Sequence, residues 1–318
     1  MDHRIICVGE TIADLYAYPI SQVALNADYH LLESFQVRTG GDAHNNAVDL
    51  ASLGEEVIYV GPIGDDFFAE NCLASMKDVG INTDHVIRCP GKEQTKSLIL
   101  LGKDGGRTFY QLFETSQAFR EEDIDLSVLD HADFLEIGGT FHMTQFDGEG
   151  ARKLLEICRK KGIVTGMDVT MDRTGRWGEI IESNYPYLDY FFPSIEQAVE
   201  LTHRSSIPDM AAFFLERGVG HVVIKAGDQG SFYMDHQQSV QCGCYKVAVK
   251  DTTGAGDAFV AGMIYGIEHK YDIRRCMTFA TACSALVIQD IGATAGIRSL
   301  SQVQRFIEEH GEPAVSVS

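Results

Sequence analysis

The sequence predicts an α/β fold with a mostly parallel sheet wound with helices, and three observations point to it. Short apolar runs recur along the chain, many bounded by glycine. Helical patterns lie between those runs. Glycine is plentiful, at 31 residues, while proline is scarce, at 7. Apolar runs of this length suit strands buried on both faces, as in a parallel sheet. Strand and helix in alternation are the pattern of a doubly wound layer. Glycine without proline indicates tight turns and close backbone approaches instead of disorder.

The strands come in order. Ile5–Val8 ends at Gly9, Val57–Val60 at Gly61, and Phe134–Ile137 at Gly138. Ile163–Met167 leads to Asp168, Tyr190–Phe192 to Pro193, and Val222–Lys225 to Gly227. Helical spacing is predicted for Asn45–Leu53, Phe67–Val79, Gly148–Lys161, Ile195–Leu201 and Pro208–Arg217. The stretch Gly148–Lys161 carries Leu154, Leu155, Ile157 and Cys158 on one face. Two segments break the alternation, at about 15–38 and 95–113, and read as extended and part-exposed. Lys103-Asp104-Gly105-Gly106 suits a hairpin turn, so these segments are read as a small separate antiparallel sheet.

The chain of 318 residues is 45% hydrophobic and 23% charged, an ordinary globular balance. Its net charge of −20 repels phosphate backbones and anionic lipid, which argues against nucleic acid and membrane as partners. The eight cysteines are scattered, and Cys242-Gly-Cys244 lacks the second pair or histidines of a zinc site. Free thiols fit a reducing compartment. No signal segment or apolar run long enough to span a bilayer is read, so the protein is expected to be cytoplasmic. The histidines His3, His44 and His142 stand alone, without metal-ligand spacing.

The chemistry concentrates in Asp251-Thr-Thr-Gly-Ala-Gly-Asp257. Phe259, Val260, Met263, Ile264 and Ile267 follow at helical spacing, so a glycine-rich turn opens a helix. Its backbone N–H groups lack intrahelical partners and face the positive dipole end, which makes an anion site. Gly254 and Gly256 let a ligand approach the backbone. Asp257 admits two readings. It is a capping carboxylate, or a base that takes the proton of a hydroxyl attacking a phosphoryl group. Neither a G-x-G-x-x-G nor a P-loop spacing is present.

This stretch, with Ala258 and Phe259, is similar to the C-terminal signature of the ribokinase-like (PfkB-type) carbohydrate kinases. Gly40-Gly41-Asp42-Ala43-His44-Asn45-Asn46-Ala47 resembles the family's N-terminal signature. The resemblance implies that Asp257 is the catalytic base and that Gly254, Ala255, Gly256 and the Asp257 backbone form the anion hole. It implies sugar contacts from Asp14, Gly40, Gly41, Asp42 and Asn45. It implies nucleotide contacts from Lys225, Gly227, Gly230 and Ala293, and a monovalent cation such as K⁺ at Asp251 and Thr253. The fold implied is a three-layer αβα sandwich with a mostly parallel central sheet and a small β-sheet lid. The whole chain, 1–318, is then one kinase domain, with the lid at about 15–38 and 95–113, and a homodimer formed through the lids is expected.

Departures from the pattern narrow what carries over. The family's Asn-x-x-Glu, tied to magnesium, stands here as Ser194-Ile195-Glu196-Gln197. The fructokinase-like stretch after Asp168 has Thr170 for Asn, with Arg173 and Trp177 each one place late. Gly61-Pro62-Ile63-Gly64-Asp65-Asp66-Phe67 is read as a turn and helix cap. Arg107, Phe109 and Tyr110 either reach the sugar from the lid or pack its outer face. The expected activity is ATP- and Mg²⁺-dependent phosphorylation of a primary hydroxyl on a small sugar or sugar acid, of fructokinase, ketodeoxygluconate kinase or ribokinase type. The alternatives are a nucleoside kinase of adenosine type, or an idle sugar or nucleotide sensor.

Overall fold

The computed structural model describes residues 4–20, 31–103 and 106–317. Among the described residues, the six apolar runs form the parallel part of a nine-stranded sheet. In spatial order its parallel part is Glu56–Val60, Arg4–Gly9, Phe134–Thr140, Val164–Val169, Tyr190–Phe191 and His221–Lys225. The antiparallel strands Ser231–Met234, Ser239–Cys242 and Val315–Val317 extend one edge. The parallel part is buried on both faces, which is why its strands read as unbroken apolar runs.

Two hydrophobic cores flank it. Helices Asp42–Leu53, Phe67–Asp78, Ala255–Glu268, Ile273–Val287 and Leu300–His310 cover one face. Helices Glu149–Lys161, Ile195–Thr202 and Ile207–Leu215 cover the other. The expected αβα layering is therefore present. The turn before the second helix acts as the cap the sequence suggested, since Asp66 accepts from the Ala69 amide at 2.9 Å. Cys244–Val249, which reads as extended, joins no strand ladder.

A second, four-stranded sheet stands apart, in the order Ser34–Gly40, Ile12–Tyr18, Lys96–Leu101, Arg107–Leu112. It is mixed, not antiparallel. Its central pair, Ile12–Tyr18 and Lys96–Leu101, runs parallel because the two strands come from segments joined by a long crossover. The sheet begins at Ile12, so Asp14 lies on it. Residues 21–30 of the expected lid segment and 104–105 of the expected hairpin turn lie outside the described residues. Register sorts the side chains by face. Phe109 pairs with Ile99, which pairs with Tyr16, while Tyr110 pairs with Leu98. Side chains alternate along a strand, so Arg107 and Phe109 share the face of Tyr16 and Asp14. Tyr110 takes the opposite face with Leu112, Phe35 and Val37, all four exposed.

Candidate active site

Parallel sheets place ligands beyond the carboxyl ends of their strands. Here Gly9, Asp168 and Lys225 stand at or near such ends. The helix Ala255–Glu268 points its first turn at the same region. Its cap, Gly254, has φ 79°. A Cβ there would lie 2.2 Å from the Ala293 carbonyl oxygen, so the left-handed conformation and the close approach both demand glycine. The first-turn N–H groups are left without intrahelical acceptors.

Asp257 sits in that turn. The Asn45 side-chain amide donates to its Oδ2 at 2.6 Å, joining two motifs 212 residues apart. Burial, and then the Asp168 charge, raise the Asp257 pKa to about 6, while Asn45 and Lys225 pull it down. Lys225 donates to Asp168 Oδ2 at 2.6 Å. A Cβ on Gly256 would lie 3.4 Å from the same ammonium, so Lys225 reaches the first turn of that helix as well. Asp42, Asp168 and Asp257 present carboxylate oxygens all within 4.8 Å of one another. Burial, Asp257 and Asp168 hold the Asp42 pKa well above the usual carboxylate range. Three hard oxygen donors beside a helix N-terminus fit Mg²⁺. The Asn-x-x-Glu position does not, because Ser194 and Gln197 cap each other. Gln197 N donates to Ser194 Oγ at 3.3 Å, and Ser194 N donates to Gln197 Oε1 at 2.6 Å.

The hydroxyl-binding candidates lie on the lid side. Asp14 is buried, and its pKa is raised to about 8 by burial and then by Glu10, Asp251 and Asp257. A Cβ on Gly40 would fall 2.2 Å from Asp14 Oδ2. Gly41 has φ 98°, and a Cβ there would meet the Glu10 carbonyl oxygen at 2.6 Å. Behind them, Glu10 accepts from Ser116 Oγ at 2.8 Å and pairs with His142 at 2.6 Å. His44 is a core residue, its pKa lowered to about 4 by burial.

On the other side of the first turn opens a cleft of about 330 Å³. Lys225, Gly227, Gly230, Ala255 and Gly256 line it together with Tyr245, Phe259, Ala285 and Ile288. Polar groups at one end and apolar walls at the other suit a nucleotide. Ala293 is placed differently. It lies under Gly254 and lines a separate hollow with Arg38 and Thr39. Asp251 and Thr253 lie just before the anion hole, facing the lid residue Arg107. Asp168, Glu10 and Arg107 are the residues that sequence reasoning left without these roles. An acid at a strand end and the imperfect fructokinase-like stretch that follows were the local signals for Asp168.

The profile of the pfkB family carbohydrate kinases matches residues 2–300. The chain belongs to the pfkB family of carbohydrate kinases. It is a sugar kinase. A deoxyribokinase of Salmonella typhi is 23% identical over 308 residues, spanning 95% of this chain and 98% of that one. A 5-dehydro-2-deoxygluconokinase of Lacticaseibacillus casei is 24% identical over 327 residues, spanning 96% and 95%. Among solved structures, a putative ribokinase II of E. coli in complex with ATP and Mg²⁺ superposes with a TM-score of 0.84 at 22% identity, covering 98% of this chain and all of that one. The likeness shows this kinase to share the ribokinase fold. Among the described residues no helix is long and apolar enough to cross a membrane.

Proposed function

We propose that this kinase transfers the γ-phosphoryl group of ATP to a primary hydroxyl of a small, uncharged sugar, with Asp257 as general base. The observation that carries the reading is the Asn45–Asp257 hydrogen bond. It joins the Gly40–Asn46 segment to Asp257 in the first turn of a helix, which supports a hydroxyl acceptor and a base meeting beside an anion hole. The acceptor hydroxyl, oriented by Asp14 and the Gly40–Gly41 backbone, gives its proton to Asp257 as its oxygen bonds to phosphorus and the bond to ADP breaks. The 254–257 amides and Lys225 stabilise charge on the transferring group. Asp42 and Asp168 would hold Mg²⁺, which supplies further positive charge across the triphosphate.

The electrostatics favour a neutral sugar over a sugar acid. Asp14 already sits in the field of Glu10, Asp251 and Asp257. Lys225 and Arg107 are paired with Asp168 and Asp251, and Arg38, the cross-strand partner of Asp14, bonds Gln36. A substrate carboxylate would meet like charges there. A structure of Arabidopsis thaliana ribokinase complexed with ribose and ATP, with a TM-score of 0.84, has the same fold and is in keeping with a sugar and ATP as the two ligands. The exposed apolar residues on the outer lid face, Phe35 and Tyr110 among them, support a homodimer joined lid to lid.

The test is Asp257→Asn, assayed with ribose, deoxyribose and fructose as acceptors. Removal of the base is expected to lower kcat by about 10²–10⁴-fold, with ATP affinity nearly unchanged. Turnover within a few-fold of wild type would refute the assignment. Phosphorylation of nucleosides alone would move the substrate class. ATP binding without turnover on any acceptor would favour a sensor.

A further inference from the structure

The pair Asp251 and Thr253, where the family resemblance implies a monovalent cation, is taken up by a side chain of this protein. Arg107 Nη1 donates to Thr253 Oγ1 at 2.8 Å and lies 3.5 Å from Asp251 Oδ1. Thr253 passes the contact on, its hydroxyl donating to Asp251 Oδ1 at 2.7 Å. The other carboxylate oxygen accepts from the Gly292 amide at 3.1 Å. The Asp251 side chain is only 7% exposed. A carboxylate this deeply buried is costly unless a cation faces it. Among the described residues, Arg107 is the cation within ion-pair distance of it. These residues, with a guanidinium already on both side chains, do not fit K⁺.

We propose that Arg107 is a positioning residue that replaces the monovalent cation behind the anion hole and delivers that charge from the lid. Three features carry this. Arg107 opens the strand Arg107–Leu112, so its position is set by closure of the lid and not by the anion-hole segment itself. It stands on the cleft face and rests over the Phe109 ring, 5.6 Å from its centroid, which orients the guanidinium toward the cleft. Asp251 also shapes the turn that follows. Its Oδ1 accepts from the Thr253 amide at 2.9 Å, immediately before the Gly254 cap. Neutralising Asp251 therefore steadies the anion-hole turn and removes a negative charge close to where a triphosphate would lie. The inference rests on the kinase reading for its consequence, but the contact between lid and turn stands without it.

The test compares chloride salts of K⁺, Na⁺ and tetramethylammonium at constant ionic strength. Wild-type kcat should vary less than about twofold among them. Arg107→Met should lose about tenfold or more in kcat with tetramethylammonium and regain most of it with K⁺, a specificity that mere loss of packing would not produce. Arg107→Lys should retain the wild-type indifference. Activation of the wild type about tenfold or more by K⁺ would overturn the proposal. So would unaltered kcat in Arg107→Met without K⁺, or a loss that neither lysine nor K⁺ restores. Thermal unfolding with a non-hydrolysable ATP analogue repeats the comparison without an acceptor. A K⁺-specific rise in Tm confined to Arg107→Met is expected even if no sugar turns over, and its absence contradicts the proposal.

Discussion

Asp257 is held between opposed influences, and the balance decides its proton affinity. Burial and Asp168 raise its pKa to about 6, whereas Asn45 and Lys225 lower it. A base must be unprotonated to act, so kcat/KM should rise as pH increases through about 6 and level off above. Lys225→Met removes a cation that favours the carboxylate, so the inflection should move to higher pH. A profile flat between about pH 5 and pH 8, with chemistry shown to be rate-limiting, would contradict the role. Burial has no signature in the motif, so the sequence does not announce this upward shift. Asp257 was legible as a candidate because its run of residue types makes chemical sense together, and Asn45 and Asp14 were legible as candidates through the family resemblance. Asp168 was not. Its role comes from Lys225, 57 residues away, and no local spacing announces that pairing.

At the scale of elements, the first turn of the helix Ala255–Glu268 depends on the glycine that caps it. Gly254→Ala would force a side chain into a left-handed backbone and against the Ala293 carbonyl. The strain should cost about 1–3 kcal/mol of stability, read as a lower Tm, and kcat should fall because the amides shift. An unchanged Tm and kcat would show that the turn is looser than its geometry indicates. The six parallel strands of the large sheet were readable, since burial on both faces leaves unbroken apolar runs, whereas the antiparallel edge strands from Ser231 onward and the helix Leu300–His310 were not read. The lid was harder. Its strands are half exposed, and the parallel pairing of Ile12–Tyr18 with Lys96–Leu101 depends on a distant partner. The lid face of each residue was open for the same reason. Register places Arg107 and Phe109 toward the cleft and Tyr110 outward.

At the scale of the molecule, two arrangements follow from the sheets. The lid's outer face, with Phe35 56% and Tyr110 51% exposed, is more apolar than a wetted face requires. Sedimentation equilibrium should give twice the 35.1 kDa chain mass, and Phe35→Asp with Tyr110→Asp should return it to one. A monomer at every concentration would remove the dimer. The larger arrangement is the meeting of the acceptor segments, the anion-hole helix and the nucleotide cleft around one carboxylate. A crystal structure with a non-hydrolysable ATP analogue and a sugar tests it most directly. The terminal phosphate should rest on the 254–257 amides, with a primary hydroxyl about 2.6–3.2 Å from the Asp257 carboxylate. A nucleotide seated away from Lys225 and Gly256, or a sugar with no hydroxyl near Asp257, would contradict the account.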